Sequence, residues 1–305
     1  MAAITSPQTA LAKAAQRYDS LTSIAWRHFR KHRPAMLGVG VLSLLVLGAI
    51  LVPVVTAYDP GKTHILDKYL PPSAEHWMGT DGLGRDLFVR SMDGGRTSLL
   101  VGLSAMVLAI LIGTTIGAFA GFYGGLTDNA LMRLADIMLT IPTLFLAIVL
   151  IQLLRAGVIP FLSAGIAPIV FVIAITSWMP TARLVRASYL SIKQKEFIEA
   201  ARAAGAKNWR LIIRHILPNA ISPIIVAATL RIGAAIITEA GLSFLGMGVQ
   251  PPAATWGNML KNAQSEIDYA PWTAIFPGLF IFFTVISVNY IGDGLRDALD
   301  PHHVE

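Results

Sequence analysis

The chain contains no cysteine. Disulfides, thiolate zinc sites and cysteine nucleophiles are therefore excluded, and the redox compartment leaves no trace in the sequence. Charge is scarce as well. Only 14% of the 305 residues are Asp, Glu, Lys or Arg, where a soluble domain carries about a quarter. No Gly-x-x-x-x-Gly-Lys-Ser/Thr phosphate loop occurs, and the seven histidines form no His-Glu-x-x-His pair. No Ser/His/Asp set is suggested by position. The expectation is a protein that is not an enzyme, with no cofactor and no metal of its own.

What is present is apolar. Hydrophobic residues make up 54% of the chain, and the mean hydropathy is +0.62. A membrane span needs roughly 20 residues free of charge. Six windows qualify, at about 35–57, 97–121, 134–154, 163–182, 219–245 and 271–291. The fifth is interrupted by Arg231 and Glu239, eight residues apart and so close to one helical face. Ionisable groups at this depth are costly, and they are expected to face the bundle interior, as part of a translocation path, or a subunit interface. The fold class is an all-α integral membrane protein with six transmembrane helices.

Lys and Arg set the orientation. Lys13, Arg17, Arg27, Arg30, Lys31 and Arg33 precede the first window, and Arg183, Arg186, Lys193, Lys195, Arg202, Lys207, Arg210 and Arg214 follow the fourth. Six spans place both groups on one side, the cytoplasmic one, together with both termini. The 58–96 loop on the other side has five basic and six acidic residues. The net charge of +6 is thus positive-inside bias, with lipid as its neighbour and no nucleic acid. The first window is longer than a signal-peptide core and is read as a retained span. Ahead of it, Leu21, Ile24, Ala25, Trp26 and Phe29 share a helical face and predict an interfacial helix within a cytoplasmic segment 1–34.

Residues 191–218 are the most basic connection. Phe197, Ile198, Ala201 and Ala204 recur at helical spacing before Gly205, and Trp209, Ile212, Ile213 and Ile216 do so after it. Gly205 is expected to end the first helix with a positive φ. Asn208 is the expected cap of a second short helix, and Pro218 suits the start of the next span. In the second window Gly113, Gly117 and Gly121 repeat every four residues, a helix-packing face. Arg133 and Asp136 lie one turn apart in the third window, in paired or interfacial positions. In the first outer loop, the glycines of Gly79-Thr80-Asp81-Gly82-Leu83-Gly84-Arg85-Asp86 permit tight turns, and its charges offer local ion pairs and caps.

These motifs carry a resemblance. Glu199-Ala200-Ala201, then Gly205, then Leu217-Pro218 resembles the EAA loop of bacterial ABC-importer permeases. The 79–86 segment resembles the GTDxxGRD stretch of the dipeptide, oligopeptide and nickel group. Gly241-Leu242-Ser243-Phe244-Leu245-Gly246-Met247-Gly248 and the Gly292–Pro301 terminus look like the C-type permease subunit of that group. The resemblance implies a type I importer permease fold with a core at 97–291, the coupling loop 191–218 and a cytoplasmic tail 292–305. It implies that Glu199, Ala200, Ala201, Gly205, Leu217 and Pro218 engage an ATPase. It also implies a second permease subunit, one or two ABC ATPase subunits that bind ATP and Mg, and an extracytoplasmic solute-binding protein. The implied location is the bacterial cytoplasmic membrane and the implied solutes are di- and oligopeptides. Nickel complexes and glutathione are alternatives, as is a secondary transporter driven by an ion gradient.

Overall fold

A computed structural model describes residues 21–56 and 58–299. In chain order the main helices are α1 (Leu21–Lys31), α2 (Arg33–Val55), α3 (Leu87–Tyr123), α4 (Gly125–Thr140), α5 (Thr143–Arg155), α6 (Ala167–Ser177) and α7 (Met179–Lys193), then α8 (Glu196–Ala203), α9 (Ile221–Phe244), α10 (Trp256–Ala263) and α11 (Trp272–Leu299). Among the described residues there is no strand beyond one isolated bridge, Thr80 with Asp86. The all-helical expectation holds.

Four helical segments are unbroken, long and apolar enough to span a bilayer: α2, α3, Asn208–Phe244 and α11. The third and fourth windows are bent pairs instead, so six spans result when each pair crosses once. The helices α4 and α5 meet at 95°. The cause is Pro142, which has no amide hydrogen and drives Ile141 into extended backbone (φ −84°, ψ 126°). The helices α6 and α7 meet at 46°, where Pro180 stands in the first turn of α7.

Two helices outrun their apolar windows. The helix of the second span begins at Leu87, ten residues before its window, and α11 runs to Leu299, through most of the expected tail. A charge ends an apolar window, yet it does not end a helix. Asp86 caps α3 by accepting from the Val89 amide at 2.9 Å. The buried Arg90 then donates to the Pro60 carbonyl at 3.0 Å. At the far end of α11, a Cβ on Gly294 would lie 3.2 Å from the Phe29 ring. His32 sits 3.5 Å from Asp297 there. The basic helix α1 thus packs on α11, with Trp26 outward and Phe29 buried. His32 also caps α2, accepting from the Ala35 amide at 3.1 Å, and Pro34 fills the first turn.

The core has two main parts. Val101, Ala105, Ile151, Ile169, Ile173 and Leu242 join α3, α5, α6 and α9. Phe122, Val185, Tyr189, Ile198, Leu211 and Ile216 join α3 and α7 to the 191–218 connection. The helices α3 and α7 approach along Gly113, Gly117 and Gly121. A Cβ on Gly113 would lie 2.7 Å from the Trp178 carbonyl oxygen, and one on Gly121 would lie 2.7 Å from that of Arg186.

Candidate coupling surface and buried polar centre

The 191–218 connection projects from the end of the bundle where α3 and α7 finish. The helix α8 ends in a two-bond turn. The Gly205 amide donates to the Arg202 carbonyl and the Ala206 amide to that of Ala201, both at 3.0 Å. Gly205 has φ +85°, the left-handed position this turn requires. No second short helix follows. Asn208–Arg210 begins a continuous path through a π-helical turn, Leu211–Ile216, and a tight turn, Leu217–Ala220, into α9. Lys207, not Asn208, stands at the cap position, and no side chain caps this start. Pro218 falls in the first turn of Leu217–Ala220.

Both apolar stripes divide between two environments. Ile198, Leu211, Ile212 and Ile216 are buried, and Ala201 and Leu217 pack against them. Phe197, Trp209 and Ile213 face outward, with 43%, 65% and 41% of their surface exposed. Glu199, Ala200, Gly205 and Pro218 are exposed as well. Of the six residues assigned to ATPase contact, Ala201 and Leu217 therefore face inward and hold the connection to the bundle. The outward-facing residues of the connection are thus the apolar Phe197, Ala200, Trp209 and Ile213 and the charged Glu199, Arg202 and Arg210.

Long-range polar ties anchor this surface to the spans, and none was visible as a motif. Arg186 on α7 grips Asp128 on α4 with two parallel bonds, Nε to Oδ1 at 2.5 Å and Nη2 to Oδ2 at 2.6 Å. Arg183 pairs with Asp136 at 2.5 Å, so the partner of Asp136 is on another helix and is not Arg133. The Tyr189 hydroxyl donates to the Ile212 carbonyl at 3.2 Å. Lys193 donates to the Phe122 carbonyl at 2.5 Å.

Glu239 occupies a different kind of site. It is fully buried and accepts from Ser243 at 2.6 Å and from Ser98 at 3.1 Å. Ser98 in turn accepts the Trp256 amide at 3.2 Å, and Thr255 donates to Ser243 at 3.3 Å. The carboxyl group joins α3, α9 and α10 inside one subunit. Glu239 thus faces the bundle interior, where the adjacent serines satisfy its oxygens. Arg231 is half-buried and lines a small cleft with Met106, Ser177 and Ala234.

The opposite end of the bundle carries the 79–86 segment as a folded turn. Gly79 and Gly84 have positive φ. Asp81 pairs with Arg85 at 2.6 Å and accepts from the Leu83 amide at 2.9 Å. The His76 ring meets Asp86 at 2.9 Å, and Trp272 of α11 donates to the Thr80 carbonyl at 3.2 Å.

Bent apolar helices joined by the short helix and turn of the 191–218 connection define a membrane permease subunit of the type I importer fold. A chain of the MetNI methionine ABC transporter, solved in inward facing conformations, shares the fold. It superimposes with a TM-score of 0.56 at 21% identity, covering 70% of this chain and 96% of that one. Residues 113–303 match the model of the binding-protein-dependent transport system inner membrane component, and the chain belongs to that family. Residues 20–72 match the N-terminal TM domain of oligopeptide transport permease C. Among curated relatives, the oligopeptide transport system permease protein OppC of Bacillus subtilis is 42% identical, covering 95% of this chain and 92% of its own length. The dipeptide transport system permease protein DppC of Alkalihalophilus pseudofirmus is 44% identical over 91% of this chain and 88% of that protein. The glutathione transport system permease protein GsiD of Pectobacterium atrosepticum is 44% identical over 90% and 89%.

Proposed function

We propose that this chain is one of two permease subunits of an ATP-driven importer in the bacterial cytoplasmic membrane. Together they form the path for di- and oligopeptides delivered by an extracytoplasmic binding protein. The Lys/Arg asymmetry supports a cytoplasmic 191–218 connection and an outer 58–86 loop. One observation carries the coupling role. The exposed Phe197, Ala200, Trp209 and Ile213 lie on a connection whose inner face is locked to α7 and α9 by Tyr189, Ile198 and Ile212. Such a surface inserts into a cleft of an ATPase and turns closure of the ATPase pair into movement of the spans. ATP and Mg stay with those subunits, and this chain performs no chemistry.

Glutathione, itself a small peptide, is the second reading, since one relative is named for its transport. Co-purification tests the assembly. Tagged wild-type chain is expected to retain the ATPase, and a variant lacking residues 196–210 is expected to lose it while keeping the second permease subunit. Unchanged ATPase recovery with that deletion would refute the docking role.

A further inference from the structure

At the end of the bundle assigned to the outside, two chambers adjoin. The larger, about 430 Å³, lies between the 79–86 turn and α10. The smaller, about 80 Å³, lies beneath the turn that follows α9. Arg90, Lys261 and Asn262 line both. The larger volume is that of a small-molecule site, and the smaller is the size of a terminal group.

The charge of these walls is uneven. The smaller chamber has Arg90 and Lys261 and no acidic lining. In the larger, Asp81 is engaged by Arg85 at 2.6 Å and Arg90 at 3.7 Å, and Glu266 accepts from the Tyr69 hydroxyl at 3.2 Å. Arg90 is buried and gives one nitrogen to the Pro60 carbonyl. A guanidinium has five N–H donors, so Arg90 has donors left for an anion. Lys261 is exposed along its length, and its ammonium lies beside Gly246, where a Cβ would come within 2.6 Å of it. Among the described residues no carboxylate lies within ion-pair distance of Lys261. Two cations and an amide therefore line the smaller chamber, which has no acidic lining, while the carboxylates of the larger chamber are already engaged.

We propose that this groove is a carboxylate-binding subsite, in which Lys261, Arg90 and Asn262 hold the C-terminal carboxylate of a short peptide while the larger chamber takes the preceding residues. Charge-assisted bonds to a carboxylate are the stronger kind. A wall with a free cation selects a free acid over its amide. The inference rests on the importer reading for the source of the carboxylate.

The test uses the whole importer in nanodiscs without its binding protein, with radiolabelled trialanine and trialanine amide as probes. Wild type is expected to bind the acid about tenfold more tightly than the amide. Lys261→Met and Asn262→Ala should lose that preference, and Lys261→Arg should restore it. Arg90 is left intact, since it also holds the outer loop. Equal binding of acid and amide by wild type, or unchanged preference in Lys261→Met, would overturn the proposal. So would a Lys261→Met complex whose only defect is weaker binding of the solute-binding protein, since the groove would then seat that protein. The importer reading has its own readout, ATP-dependent trialanine uptake with the binding protein present. Uptake without an acid preference refutes the subsite alone, and absent uptake of peptides refutes the function.

Discussion

Replacing Gly117 by Ala adds one methyl group at the closest approach of α3 to α7. The new Cβ would overlap the Ala182 carbonyl oxygen and lie 2.8 Å from the Val185 Cβ. Contacts between carbons are optimal at about 3.5–4.0 Å, so the helices must separate by most of an ångström. Overpacking of this kind costs about 1–3 kcal/mol. Alanine recovers about 1 kcal/mol of helix propensity. The clean reference is Gly40→Ala in α2, where nothing lies within 4 Å of the added atom and only the propensity gain applies. The difference between the two variants isolates the packing cost at about 1–3 kcal/mol. At roughly 2–4 °C per kcal/mol, Gly117→Ala should melt about 2–12 °C below Gly40→Ala. The assay is a thermal melt of the detergent-solubilised chain, read by its monodisperse fraction on size exclusion. Equal melting temperatures would refute the claim that these glycines set the α3–α7 distance.

Arg186→Lys should weaken the α7–α4 clamp, because an ammonium cannot reproduce the parallel pair to Asp128; the melting temperature should fall, and Asp128→Arg with Arg186→Asp should recover part of it. Glu239→Leu should destabilise the chain by about 1–3 kcal/mol by stranding the hydroxyls of Ser98 and Ser243, whereas Glu239→Gln should retain most stability in the same melt. Burial raises the Glu266 carboxyl above its ordinary value of 4.5. A raised folded-state value means stability that is present at low pH and is lost as pH rises from about 4.5 through that value. Glu266→Gln should therefore flatten this part of the stability–pH profile, and an unchanged profile would contradict the burial argument. For topology, single cysteines at 73–82 should react with an impermeant thiol reagent in intact cells and those at 205–208 should not; the reverse pattern would invert the orientation.

The spans at 35–57, 219–245 and 271–291 and the turn at Gly205 were legible because each rests on a local signal, an apolar run or a glycine. The bends were hidden because hydropathy averages over Pro142 and Pro180, although both residues were in plain view. That the helices continue beyond the windows at 97 and 291 was hidden for a related reason. Arg90 and Asp293 interrupt hydrophobicity and leave helix propensity intact. The 191–218 stripes were read as single faces. In the structure each serves two partners, the bundle through Ile198 and Ile212 and the outside through Phe197 and Trp209. No local pattern separates those roles. The Asp128–Arg186 clamp and the Ser98–Glu239 bond join residues 58 and 141 positions apart, and a single sequence carries no record of such pairings.

The central claim is that the turn at Gly205 transmits ATPase movement to the spans. Gly205 has φ +85° and nothing within 4 Å of an added Cβ, so Gly205→Asp strains the backbone by about 1–2 kcal/mol without disturbing the core. The decisive measurement is the ATPase rate of the purified complex with and without solute-loaded binding protein. The Gly205→Asp complex, and likewise Glu199→Lys, should assemble with the second permease subunit and show no rise in rate on adding the loaded binding protein. A rise equal to that of wild type in both variants would contradict the account.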